Sequence, residues 1–405
     1  TRLAGTRPPI TLAMLPNGYS EDTHQTGGTA DLATADWLAG ELERAGLAAE
    51  KQPWTFRRWD VERAEFLLTV DGKAIDTFPF WFPKNTGVTP VSAPLAVFDA
   101  LDKTAGLAGN IAFVSSAAAG RALAIDGINA WAKAAAKAGA VGLIAVSPSE
   151  SMELAAVNGA APYHQTPLPL PALIIAMRDE AAVSTAAIAG KRASILINGD
   201  DIADATAFNV IGKIARGPKW IVVTTPFSGW FTCAGERGPG VALWLALARW
   251  AAESKSPHSF LFIANSGHEL DYLGAHHALE HYAPPVADVA CWIHLGASIA
   301  TRAWEIRDGV STPLDAPQTT GNLVTVPALE ANVRAAFADV PFLAPRTGGP
   351  VAGELRHFIE AGHPAMGFFG GHHFFHTRRD LPKTTAPEFL EPVALALSKL
   401  IESVE

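Results

Sequence analysis

Between residues 207 and 295 the chain alternates short β-branched or aromatic runs with an Ala- and Leu-rich stretch, and this restricts its architecture more than anything else in it. Phe208-Asn-Val-Ile-Gly-Lys-Ile214 alternates apolar and polar side chains as a half-buried strand does. Arg216-Gly217-Pro218 interrupts it, and Trp220 to Thr225 follows as a buried strand. Val241 to Ala252, after Gly-Pro-Gly, reads as a strongly apolar helix. Phe260 to Ala264 and Val289 to Leu295 are two further buried strands. Strands with no polar face, separated by helices, belong to an α/β fold: a mostly parallel mixed sheet with helices on both faces.

The rest of the chain adds to this sheet. Leu32, Ala35, Leu38, Leu42 and Ala45 recur at helical spacing over Thr29 to Ala45, and Gly46 supplies the stop. An extended segment follows from Glu50 to Thr55, and residues 61 to 85 alternate, with Phe66, Leu68 and Val70 on one side. Residues 88–200 are rich in Ala, Val, Gly and Pro and poor in charge. They hold strands at Gly109 to Val114, Val141 to Val146 and Pro171 to Ile175, and a helix at Ile128 to Ala138. They read as a β-rich insertion with its own small core, or else as more of the main sheet. The first reading divides the chain into residues 1–87, the insertion 88–200 and a main domain 201–405.

At 405 residues and 49% apolar, the chain has material for two or three cores. A formal charge of −9 argues against a nucleic-acid partner, which needs a basic face. No apolar run approaches the roughly 20 residues that cross a bilayer. The chain begins at Thr1, so a periplasmic or secreted location is expected if a signal was removed and a cytoplasmic one otherwise. Cys233 and Cys291 are too few for a disulfide scaffold or a thiolate zinc site, and read as one bridge or two buried thiols. Trp54, Trp81 and Trp230 lie beside turn-like sequence and could line a pocket.

The chemistry concentrates in Ser259 to Gly274, SFLFIANSGHELDYLG, where His268-Glu269 follows directly on a strand. Open α/β sheets place their ligands at such strand ends. Taken alone, the pair reads equally well as a solvated loop. A second cluster, His372, His373 and His376, follows Gly370-Gly371 and reads as a metal-binding or pocket-lining loop. His276, His277 and His281 fall on the helix after Gly274, and their spacing reads as a solvated face.

The order of these phrases resembles the zinc aminopeptidases of metallopeptidase clan MH, the group that includes glutamate carboxypeptidase and glutaminyl cyclase. The resemblance is carried by THQTGGTADLATADWLAGELERAGL, LAGNIAFV with AAAKAGAVGLIAV, FNVIGKI with WIVVTT, GERGPGVALWLALARWAAE, EAGHPAMGFF and FHTRRDLPKT. It implies that residues 88–200 are a protease-associated domain and that the site lies at the C-terminal edge of the sheet. In that family His and carboxylate side chains hold two zinc ions, and a Glu acts as general base.

Here the expected ligand set is broken. Thr225 or Pro226 stands where the first His belongs, Gly296 where an Asp belongs, and His268 in place of the general base. Glu236, Glu269 and His376 remain for one zinc ion or for none. Without metal, His268 would be the acid or base and Glu269 or Glu236 would support it. Arg237 or Arg378 would hold an anionic substrate, and Trp230, His294 and His373 would complete the pocket. A Cys233–His268 nucleophilic pair is the weaker option. The expectation is an atypical aminopeptidase-like hydrolase acting on an amide or related bond of a small or peptide-like substrate. The alternatives are a non-catalytic binding protein of this fold, and a cyclase or lyase reusing the pocket.

Overall fold

A computed structural model describes residues 23–119 and 125–404. Its main sheet has eight strands in the order Ala48–Trp59, Asp201–Ile214, Ser259–Asn265, Trp220–Pro226, Val289–His294, Ala365–Phe369, Asn322–Thr325 and Pro345–Thr347. The four strands from Ser259–Asn265 to Ala365–Phe369 run parallel, and antiparallel strands flank them on both sides. This is the mixed, mostly parallel sheet that the alternation predicts.

Strand periodicity divides the side chains between two cores. Ile221, Val223, Phe260, Phe262 and Ile293 pack with Leu243 and Trp244 of the helix Ala234–Glu253, Leu38 and Leu42 of the helix Thr29–Arg44, and Leu397 of the helix Leu390–Ser403. The intervening Val222, Leu261, Ile263 and Trp292 point the other way. They meet Ala275 and Ala278 of the helix Leu273–His281, and Leu355 and Phe358 of the helix Glu354–Glu360.

The long central helix starts at Ala234, not after Gly-Pro-Gly, and carries Pro239 inside it. A proline there removes one helical hydrogen bond. The earlier start is held by Asp380, whose carboxylate accepts the N–H groups of Gly235 (2.7 Å) and Glu236 (3.1 Å), an anion placed on the positive end of the helix.

A second eight-stranded sheet forms from residues 65–198. Its strands Ile111–Val114, Gly142–Ser147 and Ala172–Ala176 are parallel and buried along their length. The strands Glu65–Val70, Lys73–Ile75 and Thr77–Pro79 precede residue 88 yet belong to it. Glu65–Val70 pairs with Arg192–Asn198, so hydrogen bonding starts this sheet earlier than the change in composition suggests. Trp54, Trp81 and Trp230 pack in the core between this sheet and the main one.

Main-chain contacts join the two sheets beside the strand ends. The Ala156 N–H donates to the His376 carbonyl (2.9 Å), the Gly159 N–H donates to the Glu269 carbonyl (2.8 Å), and Ala155 bridges Thr377. Among the described residues no helix is long and apolar enough to cross a membrane.

Candidate functional site

The segment after Ser259–Asn265 turns sharply. The Gly267 carbonyl accepts the N–H groups of both Leu270 (3.2 Å) and Leu273 (3.1 Å). Gly267 has φ +83°, and a Cβ there would lie 2.8 Å from the Trp54 ring, so glycine is required on two counts. The turn sets His268 and Glu269 at the C-terminal edge of the sheet, as their position in sequence predicts.

Glu269 does not face open space. Its Oε1 accepts Arg237 Nη2 (2.7 Å) and its Oε2 accepts the Ser228 hydroxyl (2.8 Å). Arg237 also lies 2.8 Å from Glu236 Oε1 and donates through Nε to the Ser228 carbonyl (2.8 Å). Arg237 and Glu236 have no exposed surface. Burial alone would raise the Glu236 carboxyl. The Arg237 guanidinium and then His376 outweigh it, and hold the group at about 2. Glu236 Oε2 and Arg237 Nη1 make no hydrogen bond to the described residues.

Behind this cluster stands a pair that the sequence did not announce. His268 Nδ1 lies 3.0 Å from Oε1 of Glu354, the first residue of the helix Glu354–Glu360, whose Oε2 accepts Asn265 Nδ2 (2.9 Å). Burial pushes the Glu354 carboxyl up. Burial, and after it Arg237, pushes the His268 imidazole down to about 3, so the ring is neutral at physiological pH. His294 is brought to about 4 chiefly by burial, and its Nδ1 sits 3.0 Å from the Thr224 hydroxyl, which accepts Trp292 Nε1 (3.1 Å).

His268, His294, His372, His373 and His376 line one cavity of about 720 Å³, walled on its other side by residues 147–150 and 155–158 of the second sheet's loops. His376 Nδ1 donates to the Ala156 carbonyl (3.1 Å), and its Nε2 lies 3.3 Å from Glu236 Oε1. His373 Nε2 meets the Ser311 hydroxyl (2.8 Å). His372 faces Asp380 (3.2 Å), whose negative charge outweighs burial and raises the imidazole.

Of the predicted site residues, His268, His294, His373 and His376 line the cavity. Glu236, Glu269 and Arg237 form the buried cluster beside it. Arg237 is fully buried and spent on two carboxylates, so a substrate anion does not reach it. Arg378 points elsewhere, to Asp76 (3.2 Å) and over the Phe231 ring (5.0 Å). Trp230 is a core residue whose indole N–H donates to Asn158 (2.7 Å). Cys233 and Cys291 are both free thiols. Burial raises Cys233 well above its ordinary value, which keeps it protonated and argues against a nucleophilic pair.

The residues missed at the sequence level are Ser228, Glu354, Thr224 and Asp380. Ser228 sits two residues beyond a strand end, a place where a small polar residue could have been singled out. The others lie far in sequence from the groups they serve.

A divalent metal ion does not fit this cluster. Arg237 Nη2 lies 2.8 Å from Glu236 and 2.7 Å from Glu269, so an ion shared by the two carboxylates would meet its charge. Among the described residues no group of three or more His, Cys, Asp or Glu side chains is arranged to hold one. At Gly296, where the resemblance expects a carboxylate, an added Cβ would lie 2.1 Å from the Phe368 carbonyl, so the backbone there is packed for glycine.

No protein-family model matches the sequence, and no curated protein matches it. Solved structures do. The chain is similar to a zinc aminopeptidase from Bacillus subtilis, with TM-score 0.74 and 20% identity over 97% of this chain and 94% of that one. It is similar to an aminopeptidase from Aneurinibacillus sp., with TM-score 0.68 and 19% identity over 96% and 92% of the two chains. It is also similar to a peptidase M28 precursor from Shewanella amazonensis, with TM-score 0.73 and 17% identity over 96% and 91%. The fold is that of the zinc aminopeptidases.

Proposed function

We propose that this protein is a hydrolase of an amide or related bond that works without a resident metal, with His268 and Glu354 as its proton-accepting unit. The observation that carries this reading is the 3.0 Å contact of His268 Nδ1 with Glu354 on the wall of the cavity. A base with a pKa of about 3 is weak by itself. The pair is stronger than the ring. As water gives a proton to Nε2, the Nδ1 proton passes to Glu354, whose carboxyl burial has raised, and no imidazolium accumulates beside Arg237. The hydroxide adds to the substrate carbonyl carbon; as the tetrahedral adduct collapses and its C–N or C–O bond breaks, the leaving group takes the proton back from His268 Nε2 while Glu354 returns its own to Nδ1. His294 supplies an N–H for the developing oxyanion, its Nδ1 being held by the Thr224 hydroxyl.

The charges around the cavity point to the substrate class. The carboxylates of Glu236 and Glu269 are closed off by Arg237, and the one carboxylate side chain on the described lining, Glu150, is exposed. A free α-ammonium therefore has no buried anion to meet, and an N-acylated or otherwise uncharged amide or ester fits better than a peptide with a free amino terminus.

The test is a panel of chromogenic anilides and esters, with free and N-acylated amino groups, assayed with and without a strong chelator. Turnover of blocked substrates should resist the chelator and fall about 10²-fold to 10⁴-fold in His268→Ala and Glu354→Gln. Activity abolished by chelator and restored by zinc would refute the proposal. The low basicity of His268 also favours a second reading, a binding protein of this fold. It predicts ligand-dependent thermal stabilisation with no turnover of any substrate in the panel.

A further inference from the structure

We propose that Arg237 is a built-in cation that replaces a metal ion at this site and keeps the protein closed to divalent metals. The inference goes beyond the catalytic reading, because it holds whether the cavity turns over substrate or only binds it.

Its basis is placement. One guanidinium nitrogen lies 2.8 Å from Glu236 and 2.7 Å from Glu269, two carboxylates on separate elements with Arg237 set between them. The same guanidinium donates Nε to the Ser228 carbonyl, and the Ser228 hydroxyl donates to the far oxygen of Glu269. Arg237, Glu269 and Ser228 thus form one closed ring with Glu236 attached through Arg237, and none of the charged groups is more than 3% exposed. Arginine suits the place because it stays charged when buried and has donors enough for both carboxylates and the Ser228 carbonyl. An incoming ion would have to displace a guanidinium that is fully buried and already paired with both carboxylates.

The charges also favour this reading. Two carboxylates and one guanidinium leave the cluster one negative charge over, and Glu236 Oε2 has no hydrogen bond among the described residues. Without Arg237 the excess is two, the charge a divalent ion cancels, and His376 Nε2 stands 3.3 Å from Glu236. The loop at Gly296 cannot supply a further carboxylate without moving, since any Cβ there meets the Phe368 carbonyl at 2.1 Å.

The test is zinc titration followed by calorimetry and by melting temperature. It is run in a His277→Gln/His281→Gln background, because those rings pack 4.4 Å apart on an outer helix and could chelate zinc independently. The otherwise unaltered protein and Arg237→Lys, which keeps the charge, should show no saturable zinc binding and no rise in melting temperature. Arg237→Met should melt lower and recover with zinc, and adding Glu236→Gln to it should remove the recovery. Stoichiometric zinc retained by the unaltered protein and lost in Glu236→Gln would overturn the proposal. So would a folded Arg237→Met that ignores zinc. If Arg237→Met does not fold, the unaltered protein and Arg237→Lys still decide the question.

Discussion

Asp31 makes the stability of this protein depend on pH in a direction opposite to most carboxylates. It lies on the helix Thr29–Arg44, 1% exposed, and both its oxygens accept the Ser266 hydroxyl at 2.9 Å while Oδ2 accepts the Gly27 N–H at 2.8 Å. Burial raises its pKa most. The Gly27 and Ser266 hydrogen bonds pull it back, Glu269 pushes it up again, and the result is about 7 against an ordinary 3.8. A shift of about three units corresponds to about 4 kcal/mol. Because the folded pKa lies above the unfolded one, the folded state binds the extra proton. Its stabilising contribution is complete below about pH 4 and is lost as pH rises toward 7. Asp31→Asn removes the titration while keeping the shape.

The measurement is melting temperature of both proteins from pH 4.5 to 8.5, taken as a difference so that other titrating groups cancel. The asparagine variant should gain on the natural protein through this interval by up to about 4 kcal/mol, then level off above pH 7 to 8. The gain should be accompanied by slower proteolysis at residues 266–270, since Ser266 links Asp31 to that turn. A difference that stays flat with pH, or that shrinks as pH rises, would refute the reasoning.

Three other outcomes follow from the geometry. Glu236→Gln should destabilise by about 3 to 5 kcal/mol at neutral pH, because it leaves a buried guanidinium short of a partner. Its pKa is depressed to about 2, so this stabilisation is present above about pH 4.5 and lost as pH falls toward 2, and the gap between variant and natural protein should close in acid. Gly296→Ala should lower stability by about 1 to 3 kcal/mol through the 2.1 Å approach to Phe368, measured by denaturant midpoint. Both cysteines should resist thiol reagents in the native protein and react on unfolding, since burial raises Cys233 well above its ordinary value and Cys291 to about 12.

What the sequence makes legible is local. Phe260 to Ala264 declares a strand by its composition, and the small residues after it declare where the chain must turn, so the strand-end position of His268 and Glu269 can be read from their neighbours alone. The helix start at Ala234 is not legible, because its anchor, Asp380, lies 145 residues from Gly235. Glu354 is 86 residues from His268 and stands in an unremarkable helix opening. Arg237 reads as available to a substrate because an Arg in a Gly-rich loop is usually solvated. Its burial depends on Glu269, brought from another strand end. The start of the second sheet is hidden for the same reason, since Glu65–Val70 finds its partner strand at Arg192–Asn198.

The main-chain bonds between the two sheets have a further consequence for how this chain can change. Ala156 holds His376 through its carbonyl, and Ala156 and Gly159 hold the loops at His376 and Glu269 through their N–H groups. Backbone atoms carry these links, and the side chains around them are fitted as well: Ala156 and Val157 are buried in the core, Asn158 accepts the Trp230 indole N–H, and a Cβ at Gly159 would lie 2.7 Å from the Trp81 ring. Proline at 156 or 159 is excluded, because each needs its N–H. A single inserted or deleted residue would shift every donor out of step with its acceptor. The segment is therefore held in length by its main chain and in residue size by its neighbours, and saturation mutagenesis with single-codon insertions should show every insertion lost and only small side chains kept at 156 and 159.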